Sequence, residues 1–331
     1  MRKLKTMFMP HPLHTMEFAR TTDVVEVVSP IHDLMIFDRD DVIEPQFEGI
    51  EAIVDSGGNI RPEWVDIAAA AGVKFIQAQT NGLDHVEIER ILGAGMLLAH
   101  CPGHLSKESL AEGAMLFMLL LAREYNQAQK NFADRVLYEP LTMELEGRSV
   151  GIIGFGTSGQ ELARRAKAFG MRVLGIDVRE IEKEILDDLQ PDFMGTPDDL
   201  DRVIAECDFL SLDLHLTDET HHIIDARRLA LMKPTAHIIN VARGELVDED
   251  ALADALLAGR LGGAGLDAFG EEPADPTRPV YQLPNVYTMP HVAGVTDGST
   301  RKRAIFALAN LDRFARGEPL EGRVERRMQG I

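Results

Sequence analysis

The stretch VGIIGFGTSG (residues 150–159) places the pattern G-x-G-x-x-G directly after an apolar run and at the start of a helical one. In this arrangement Gly154 makes a tight turn, Gly156 lets the backbone approach a pyrophosphate, and Gly159 lets the helix and the strand lie close together. A glycine pattern of this kind also occurs in turns that bind nothing, so the pattern alone leaves both interpretations open. Its position between a strand and a helix favours a dinucleotide site.

Two neighbouring features strengthen the dinucleotide interpretation. The helix that begins at Thr157 and Ser158 would present free N–H groups and the positive end of its dipole to phosphates. The next apolar strand ends in Asp177, 18 residues beyond Gly159, where a carboxylate can hold the ribose hydroxyls of NAD. Asp177 should also repel the additional phosphate of NADP, although Arg179 keeps NADP as an alternative. NAD is therefore the predicted cofactor.

Length and composition indicate a globular protein of two domains. The chain has 331 residues, of which 45% are hydrophobic and 27% are charged, and its formal net charge is −20. This length corresponds to two domains of roughly 150 residues each. The acidic excess argues against a nucleic-acid-binding protein and a basic peripheral membrane protein, because both need a cationic face. The longest apolar run, Ala114 to Ala122, is far shorter than the roughly 20 residues of a membrane span.

The cysteine content predicts a reducing environment and no metal site. Only Cys101 and Cys207 occur, and the chain has no C-x-x-C pattern or disulfide framework, so a cytoplasmic location is expected. His100, Cys101 and His104 lie together, but the segment offers no fourth ligand. These three residues therefore do not predict a zinc site.

Short β-rich runs alternate with amphipathic helical patterns along most of the chain, which is typical of a parallel sheet with crossover helices. The pattern predicts an α/β protein with one series of strands before the polar segment Asn131–Arg148 and a second series after it. Val24–Val28 and Phe209–Leu214 are among the predicted strands, and Ser109–Gln129 is predicted as one long buried helix.

Polar side chains follow several of the predicted strands. Arg243, Asp267 and His291 each come directly after an apolar run, and Glu272 lies in the connection between the last two. Ligands of open parallel sheets bind beyond the carboxyl ends of the strands, so these residues should meet in one crevice. An arginine can bind a carboxylate bidentately, a histidine can exchange a hydroxyl proton, and a carboxylate can orient that histidine. The set fits oxidation of an alcohol that bears a carboxylate.

At these residues the sequence resembles the D-isomer-specific 2-hydroxyacid dehydrogenase family, roughly from Ala52 to the end of the chain. The most specific stretches are the glycine pattern at 151–159, INVARGELVD at 239–248, GLDAF at 265–269 with Glu272-Pro273, and PHVAG at 290–294. The resemblance implies that Arg243 binds the substrate carboxylate, that His291 is the acid/base with Glu272 as its partner, and that Asp267 meets the nicotinamide carboxamide.

The resemblance also implies an architecture. A Rossmann-type doubly wound parallel sheet at 103–295 would bind NAD, and a flavodoxin-like α/β substrate domain would combine residues 1–102 and 296–331, with a cleft between the two domains. Asn81 and Gly82 resemble the loop whose backbone holds the substrate carboxylate. A homodimer through the NAD domain is usual in such proteins.

The expected function is NAD-dependent interconversion of a small D-2-hydroxy acid and its 2-keto acid, as in glyoxylate/hydroxypyruvate reductases. Two alternatives stay open: a D-3-phosphoglycerate dehydrogenase, and a non-enzymatic NAD-sensing protein similar to a corepressor. Three positions depart from the family pattern: His100 where asparagine is common, Gly113 where histidine is common, and His215 where proline is usual.

Overall fold

The computed structural model describes residues 2–13 and 19–325 of the chain. The strands are β1 (Lys5–Met9), β2 (Asp33–Ile36), β3 (Ala52–Asp55), β4 (Phe75–Ala78), β5 (Leu97–Ala99), β6 (Ser149–Ile153), β7 (Arg172–Ile176), β8 (Phe193–Gly195), β9 (Phe209–Leu212), β10 (His237–Asn240), β11 (Gly263–Leu266), β12 (Val286–Thr288) and β13 (Arg323–Val324). The helices are α1 (Ala19–Val28), α2 (Ile43–Gln46), α3 (Pro62–Ala71), α4 (Ile88–Gly93), α5 (Lys107–Ala122), α6 (Tyr125–Ala133), α7 (Thr157–Ala168), α8 (Lys183–Leu189), α9 (Leu200–Glu206), α10 (Ala226–Leu229), α11 (Glu249–Leu257) and α12 (Asp297–Arg316).

The chain divides into two compact units. Unit 1 comprises Met1–Leu105 and Thr296–Ile331, and unit 2 comprises Ser106–Val295. The sequence predicts an outer domain at 1–102 and 296–331 and an NAD domain at 103–295, and residues 1, 14–18 and 326–331 of the predicted outer domain lie outside the described part of the chain. That unit 1 binds substrate stays a prediction.

Unit 2 contains a seven-stranded parallel sheet in the order β12-β11-β10-β9-β6-β7-β8. Starting from β6, this is the strand order of a dinucleotide-binding doubly wound fold with one additional edge strand. Separate hydrophobic clusters cover the two faces, one around Leu210 and Ile238 and the other around Ile152 and Ile239. Because both faces are covered, the strands are apolar throughout, and this confirms the predicted Rossmann-type architecture.

Unit 1 contains a six-stranded sheet in the order β13-β5-β4-β3-β1-β2. All its strands are parallel except β13, which pairs antiparallel with β5. The five parallel strands follow the flavodoxin-like order 2-1-3-4-5. This confirms the predicted fold class for the unit.

Three sequence-based element assignments differ from the structure. Val24–Val28 is the end of α1 rather than a strand, because Val24 and Val28 are one helical turn apart and both are fully buried. The predicted long helix is divided into α5 and α6 by Glu124, whose φ is +45°. The strand predicted at Phe209–Leu214 ends at Leu212, so Asp213 lies just beyond the strand end.

The described residues contain neither a helix that could span a membrane nor a cluster of metal-ligating side chains. None of the described helices combines the length and the apolar character that a membrane span requires. Within residues 2–13 and 19–325, no three His, Cys, Asp or Glu side chains are grouped as metal ligands would be.

Candidate active site

The glycine-rich turn of unit 2 has the geometry that a dinucleotide phosphate needs. Gly154 has a φ of +94°, and a Cβ there would lie 2.5 Å from the carbonyl oxygen of Asp213. A Cβ on Gly159 would lie 2.2 Å from the carbonyl oxygen of Gly154, so only glycine allows α7 this close to β6. At Gly156, by contrast, a Cβ would meet only the Arg179 guanidinium, at 3.9 Å.

The start of α7 leaves N–H groups available at this turn. Gly156 is the N-cap residue of α7 and supplies no side chain to accept hydrogen bonds from the first turn, which begins at Thr157 and Ser158. Uncapped N–H groups and the helix dipole together attract anions. The glycine cradle and the uncapped helix therefore fit the pyrophosphate of a dinucleotide.

Asp177 follows β7 and braces the same turn. Its Oδ2 accepts a hydrogen bond from the Phe155 N–H at 2.8 Å, and its Oδ1 accepts one from the Arg179 N–H at 2.9 Å. The Arg179 guanidinium also pairs with this carboxylate, at 3.1 Å from Nε to Oδ1. Burial would raise the pKa of Asp177, but the hydrogen bonds and charge of Arg179 and the Phe155 N–H outweigh burial and lower it. The carboxylate is therefore ionised at neutral pH.

Arg243 follows β10, where Asn240 fixes the backbone. The Asn240 Nδ2 donates to the Arg243 carbonyl at 2.7 Å, and its Oδ1 accepts from the Ala242 N–H at 3.1 Å. Gly244 lies against the backbone of Phe269, where a Cβ would come within 1.8 Å of the carbonyl carbon. This contact, which only glycine permits, brings Arg243 to the connection that carries Glu272.

His291 and Glu272 form a hydrogen-bonded pair. The Nδ1 of His291 lies 2.8 Å from Oε2 and 3.0 Å from Oε1 of Glu272, and the Phe269 N–H donates to Oε1 at 3.1 Å. Burial opposes ionisation of Glu272, but the hydrogen bond and charge of His291, the Phe269 N–H and the charge of Arg243 together lower its pKa. The carboxylate therefore stays charged and favours a proton on Nδ1 of the imidazole, which leaves Nε2 for proton exchange.

Asp267 holds the backbone that follows His291. Its Oδ1 accepts from the Val292 N–H at 2.8 Å and its Oδ2 from the Ala293 N–H at 2.9 Å, and the residue is buried. His291 itself has a φ of +54°, a conformation that costs a non-glycine residue on the order of 1 kcal/mol. The clamp of Asp267 on the next two residues stabilises that conformation. A contact between Asp267 and a nicotinamide carboxamide stays a prediction.

Unit 2 thus combines the glycine-rich turn, Asp177, Arg243, Glu272, Asp267 and His291, all at the carboxyl ends of its parallel strands. Asn81 and Gly82 lie in unit 1, in the loop after β4, where the Thr80 hydroxyl donates to the Gly82 carbonyl at 3.1 Å. Their role in holding a substrate carboxylate is a prediction.

Sequence reasoning missed two polar residues at this edge of the sheet. Asn240 lies inside an apolar run, and its function in locking the Arg243 backbone depends on a turn that only the structure reveals. Asp213 is not recognised as a residue at a strand end because the predicted strand continues to Leu214, whereas β9 ends at Leu212. The alternation of polar and apolar residues at Ser211, Asp213 and His215 is the signal that could have separated it from the strand.

Comparison with known proteins identifies the family. The sequence profile of the D-isomer specific 2-hydroxyacid dehydrogenase NAD-binding domain matches residues 115–293, more than half of the chain. The chain belongs to this family. The dehydrogenase is 38% identical to a glyoxylate reductase from Thermococcus onnurineus (strain NA1), over 76% of its own length and 75% of that protein.

Two further comparisons cover more of the dehydrogenase. It is 31% identical to a D-3-phosphoglycerate dehydrogenase from Methanocaldococcus jannaschii over 90% of its own length but only 56% of that protein. It is 28% identical to a D-lactate dehydrogenase from Aquifex aeolicus, solved with NAD and lactic acid, with a TM-score of 0.79 over 95% of this chain and 96% of that one. The protein is therefore an oxidoreductase of D-2-hydroxy acids with an NAD-binding domain.

Gly113, one of the departures from the family pattern, has a structural role in this dehydrogenase. A Cβ on Gly113 would lie 2.7 Å from the Cβ of Ala293. The absence of a side chain therefore lets α5 lie directly against the segment that Asp267 holds after His291. Of the other departures, the carbonyl of His215 accepts from the Thr220 hydroxyl at 2.8 Å, and the N–H of His100 donates to the Gly322 carbonyl at 2.9 Å.

Proposed function

We propose that this dehydrogenase reduces a small 2-keto acid of the glyoxylate or hydroxypyruvate type to the D-2-hydroxy acid with NADH. The observation that carries the proposal is the arrangement of Arg243, Glu272 and His291 in the unit that also contains the glycine-rich turn. The similarity to glyoxylate reductases supports the choice of substrate class.

In this proposal each side chain has one chemical task. Arg243 binds the substrate carboxylate through its planar guanidinium. His291 gives the proton at Nε2 to the carbonyl oxygen, while Glu272 accepts a hydrogen bond from Nδ1 and stabilises the charged imidazole. When bound, NADH supplies the hydride that reduces the carbonyl carbon. Asp267 keeps the backbone next to His291 in place by accepting hydrogen bonds from the Val292 and Ala293 N–H groups.

A panel of keto acids tests the proposal. Purified protein is mixed with NADH and glyoxylate, hydroxypyruvate, pyruvate or 3-phosphohydroxypyruvate, and the loss of NADH absorbance is followed. We expect the highest kcat/KM with glyoxylate or hydroxypyruvate, and oxidation of D-glycerate but not of L-glycerate in the reverse direction. Highest activity with the phosphorylated acid would instead favour a phosphoglycerate dehydrogenase. NADH binding without turnover of any acid would favour a non-enzymatic NAD sensor.

We also propose that NAD is preferred over NADP. The ionised Asp177 would repel the phosphate of NADP, and Arg179 is held by that same carboxylate at 3.1 Å. Replacing Asp177 with serine removes the repulsion and releases Arg179. We expect the preference for NADPH over NADH, as a ratio of kcat/KM values, to rise about 10- to 100-fold, because a hydrogen bond to a charged group contributes roughly 1.5–3 kcal/mol.

A second substitution separates the loss of repulsion by Asp177 from the release of Arg179. In the Asp177→Ser background, Arg179→Ala should cancel most of the gain for NADPH, since the released guanidinium is then missing. An unchanged cofactor ratio in Asp177→Ser would contradict the role given to this pair.

We propose that the protein forms a homodimer through unit 2. Four large apolar side chains of this unit are exposed over adjacent parts of the chain: Phe132 at 82%, Leu137 at 73%, Tyr138 at 99% and Leu141 at 96%. An exposed apolar cluster of this kind is typical of a protein interface. A cytoplasmic location also stays our proposal, supported by Cys101 and Cys207, neither of which forms a disulfide.

Charged substitutions in this cluster should separate the subunits. We expect the double variant Tyr138→Asp/Leu141→Asp to change from dimer to monomer in sedimentation velocity at micromolar concentration, because each carboxylate would have to be desolvated in the interface. Leu257→Asp is the control, since Leu257 is an exposed apolar residue of unit 2 that lies on α11, outside the cluster. A monomeric wild-type protein, or a dimeric double variant, would contradict the proposal.

A further inference from the structure

Asp213 is a carboxyl group that the mechanism above does not use, and it lies beside the glycine-rich turn. The residue directly follows β9, and its N–H donates to the Ile153 carbonyl at 2.8 Å. Its own carbonyl oxygen lies against Gly154, at 2.5 Å from where a Cβ would be. The backbone of Asp213 is therefore fixed at the point where β6 turns into α7.

The side chain of Asp213 is incompletely hydrogen bonded. Its Oδ2 accepts from the Ser211 hydroxyl at 2.7 Å. Its Oδ1 is buried and forms no well-formed hydrogen bond with a described residue, although the residue as a whole is partly exposed. The Ser158 hydroxyl influences the pKa of the carboxyl without completing such a hydrogen bond to Oδ1. A buried oxygen that lacks a hydrogen bond lowers the stability of the folded protein. A bound group that forms a hydrogen bond with Oδ1 would remove this cost.

The surroundings shift the equilibrium of this carboxyl towards its protonated form. Burial raises the pKa of Asp213 to about 6, and the hydroxyls of Ser211 and of Ser158, in the first turn of α7, oppose burial only in part. Both of the groups that oppose burial are neutral hydroxyls.

The charged groups on the neighbouring elements are engaged elsewhere. Beyond β7, Asp177 pairs with Arg179. On α7, Glu161 pairs with Lys107 and Arg165. At the opposite end of β9, Asp208 pairs with Lys233 at 2.8 Å. Arg243, beyond β10, acts on the pKa of Glu272. His215 lies two residues along the chain, and its carbonyl accepts a hydrogen bond from the Thr220 hydroxyl.

An ionised Asp213 conflicts with an anion site at the start of α7. A pyrophosphate at the glycine-rich turn would place negative charge near a carboxylate whose side-chain partner is the neutral Ser211 hydroxyl and for which no ion pair is found within residues 2–13 and 19–325. We infer that Asp213 takes up a proton when the dinucleotide binds and donates a hydrogen bond to it from Oδ1, so that cofactor affinity decreases as the pH rises. This inference rests on the proposed binding of NADH at the glycine-rich turn.

The sign of the pH effect follows from linkage. Below the pKa of the free protein the carboxyl already carries the proton, and binding releases or takes up none. Above this pKa, the binding of each NADH is accompanied by the uptake of one proton from solution onto Asp213. The Kd therefore approaches a tenfold rise per pH unit. An asparagine side chain in this place would mimic the protonated carboxyl at every pH, and for this reason Asp213→Asn is the informative substitution.

The experiment measures the Kd of NADH by fluorescence titration from about pH 5.5 to about pH 8.5. We expect the wild-type Kd to rise across this range and the Kd of Asp213→Asn to stay constant. At about pH 8 the Asp213→Asn variant should bind NADH roughly 10- to 100-fold more tightly than the wild type. Calorimetry at this pH, in two buffers of different ionisation enthalpy, should show that the wild type takes up close to one proton per NADH bound. The Asp213→Asn variant should take up none.

Two further variants serve as controls. Asp177→Asn removes another carboxylate of the same site, and the pKa of Asp177 is lowered, so this group stays ionised over the measured range. The Kd of NADH for Asp177→Asn should therefore depend on pH as it does for the wild type. Asp213→Ala lacks the donor and should bind NADH independently of pH but more weakly than Asp213→Asn. Thermal unfolding verifies that each variant is folded.

The outcomes separate this inference from the proposed function. Tight NADH binding with a Kd that is constant in the wild type, or that rises equally in Asp213→Asn, overturns the role of Asp213 and leaves the dehydrogenase proposal intact. Failure of the folded wild-type protein to bind NADH at any pH overturns both.

Discussion

Arg243→Met is expected to lose keto-acid reduction while keeping NADH binding. The guanidinium faces the substrate in our proposal, so its removal leaves the substrate carboxylate without its partner. Truncating one partner of a hydrogen-bonded charge pair costs about 2–5 kcal/mol, which corresponds to a decrease of roughly 30- to 5,000-fold in kcat/KM for the keto acid. The Kd of NADH, measured by fluorescence, should stay within about twofold of the wild-type value.

Two companion variants make the Arg243 result specific. Arg243→Lys restores the charge but not the planar fork, so it should recover only part of the lost activity. Arg227→Met removes an exposed arginine of the same unit that pairs with Asp201, and its kcat/KM should match that of the wild type. Loss of NADH binding in a folded Arg243→Met protein would contradict the assignment of Arg243 to the substrate.

Glu272→Gln is expected to move the pH profile of reduction to lower pH. In the reductive direction the imidazole of His291 must be protonated, so activity decreases as the pH rises past the point where the proton is lost. The charge and hydrogen bond of Glu272, at 2.8 Å from Nδ1, favour the protonated ring. A neutral amide loses the charge, so the decrease in kcat/KM should begin at a lower pH than in the wild type.

The neighbouring residue provides a matched control. Glu271 is exposed and lies next to Glu272 in the sequence, so Glu271→Gln changes the charge of the same connection without touching His291. Its pH profile should coincide with that of the wild type. A profile that does not move in Glu272→Gln would mean that Glu272 does not govern the protonation of His291.

Local patterns predicted the parts of the site that one segment builds by itself. The glycine-rich turn was predictable because Gly154, Gly156 and Gly159 satisfy steric requirements within ten residues of chain. The positions of Asp177, Arg243 and His291 at one edge of the sheet could be predicted because the carboxyl ends of parallel strands meet there. The predicted fold class has the same origin, since fully buried parallel strands leave a strong apolar signal.

The rest depended on contacts between segments that the sequence keeps apart. Asp267 accepts hydrogen bonds from Val292 and Ala293, which lie 25 and 26 positions further along the chain. No periodic pattern in the sequence indicates these contacts. The approach of Gly113 to Ala293 spans most of unit 2. In the same way, valines that favour strands end α1, because the burial of Val24 and Val28 decides the local structure against the intrinsic preference of the residues.

The arrangement of unit 2 has a consequence for how such a protein can diversify. Arg243, Glu272, Asp267, His291 and the glycine-rich turn all belong to one uninterrupted piece of chain, Ser106–Val295, whereas unit 1 is assembled from the two flanking pieces. Exchanging the flanks for those of a relative would therefore leave every covalent link within the redox machinery as it is. On the prediction that unit 1 binds the substrate, a chimaera made at these two junctions should alter the choice of acid separately from the chemistry performed on it, which offers laboratory evolution a natural place to recombine.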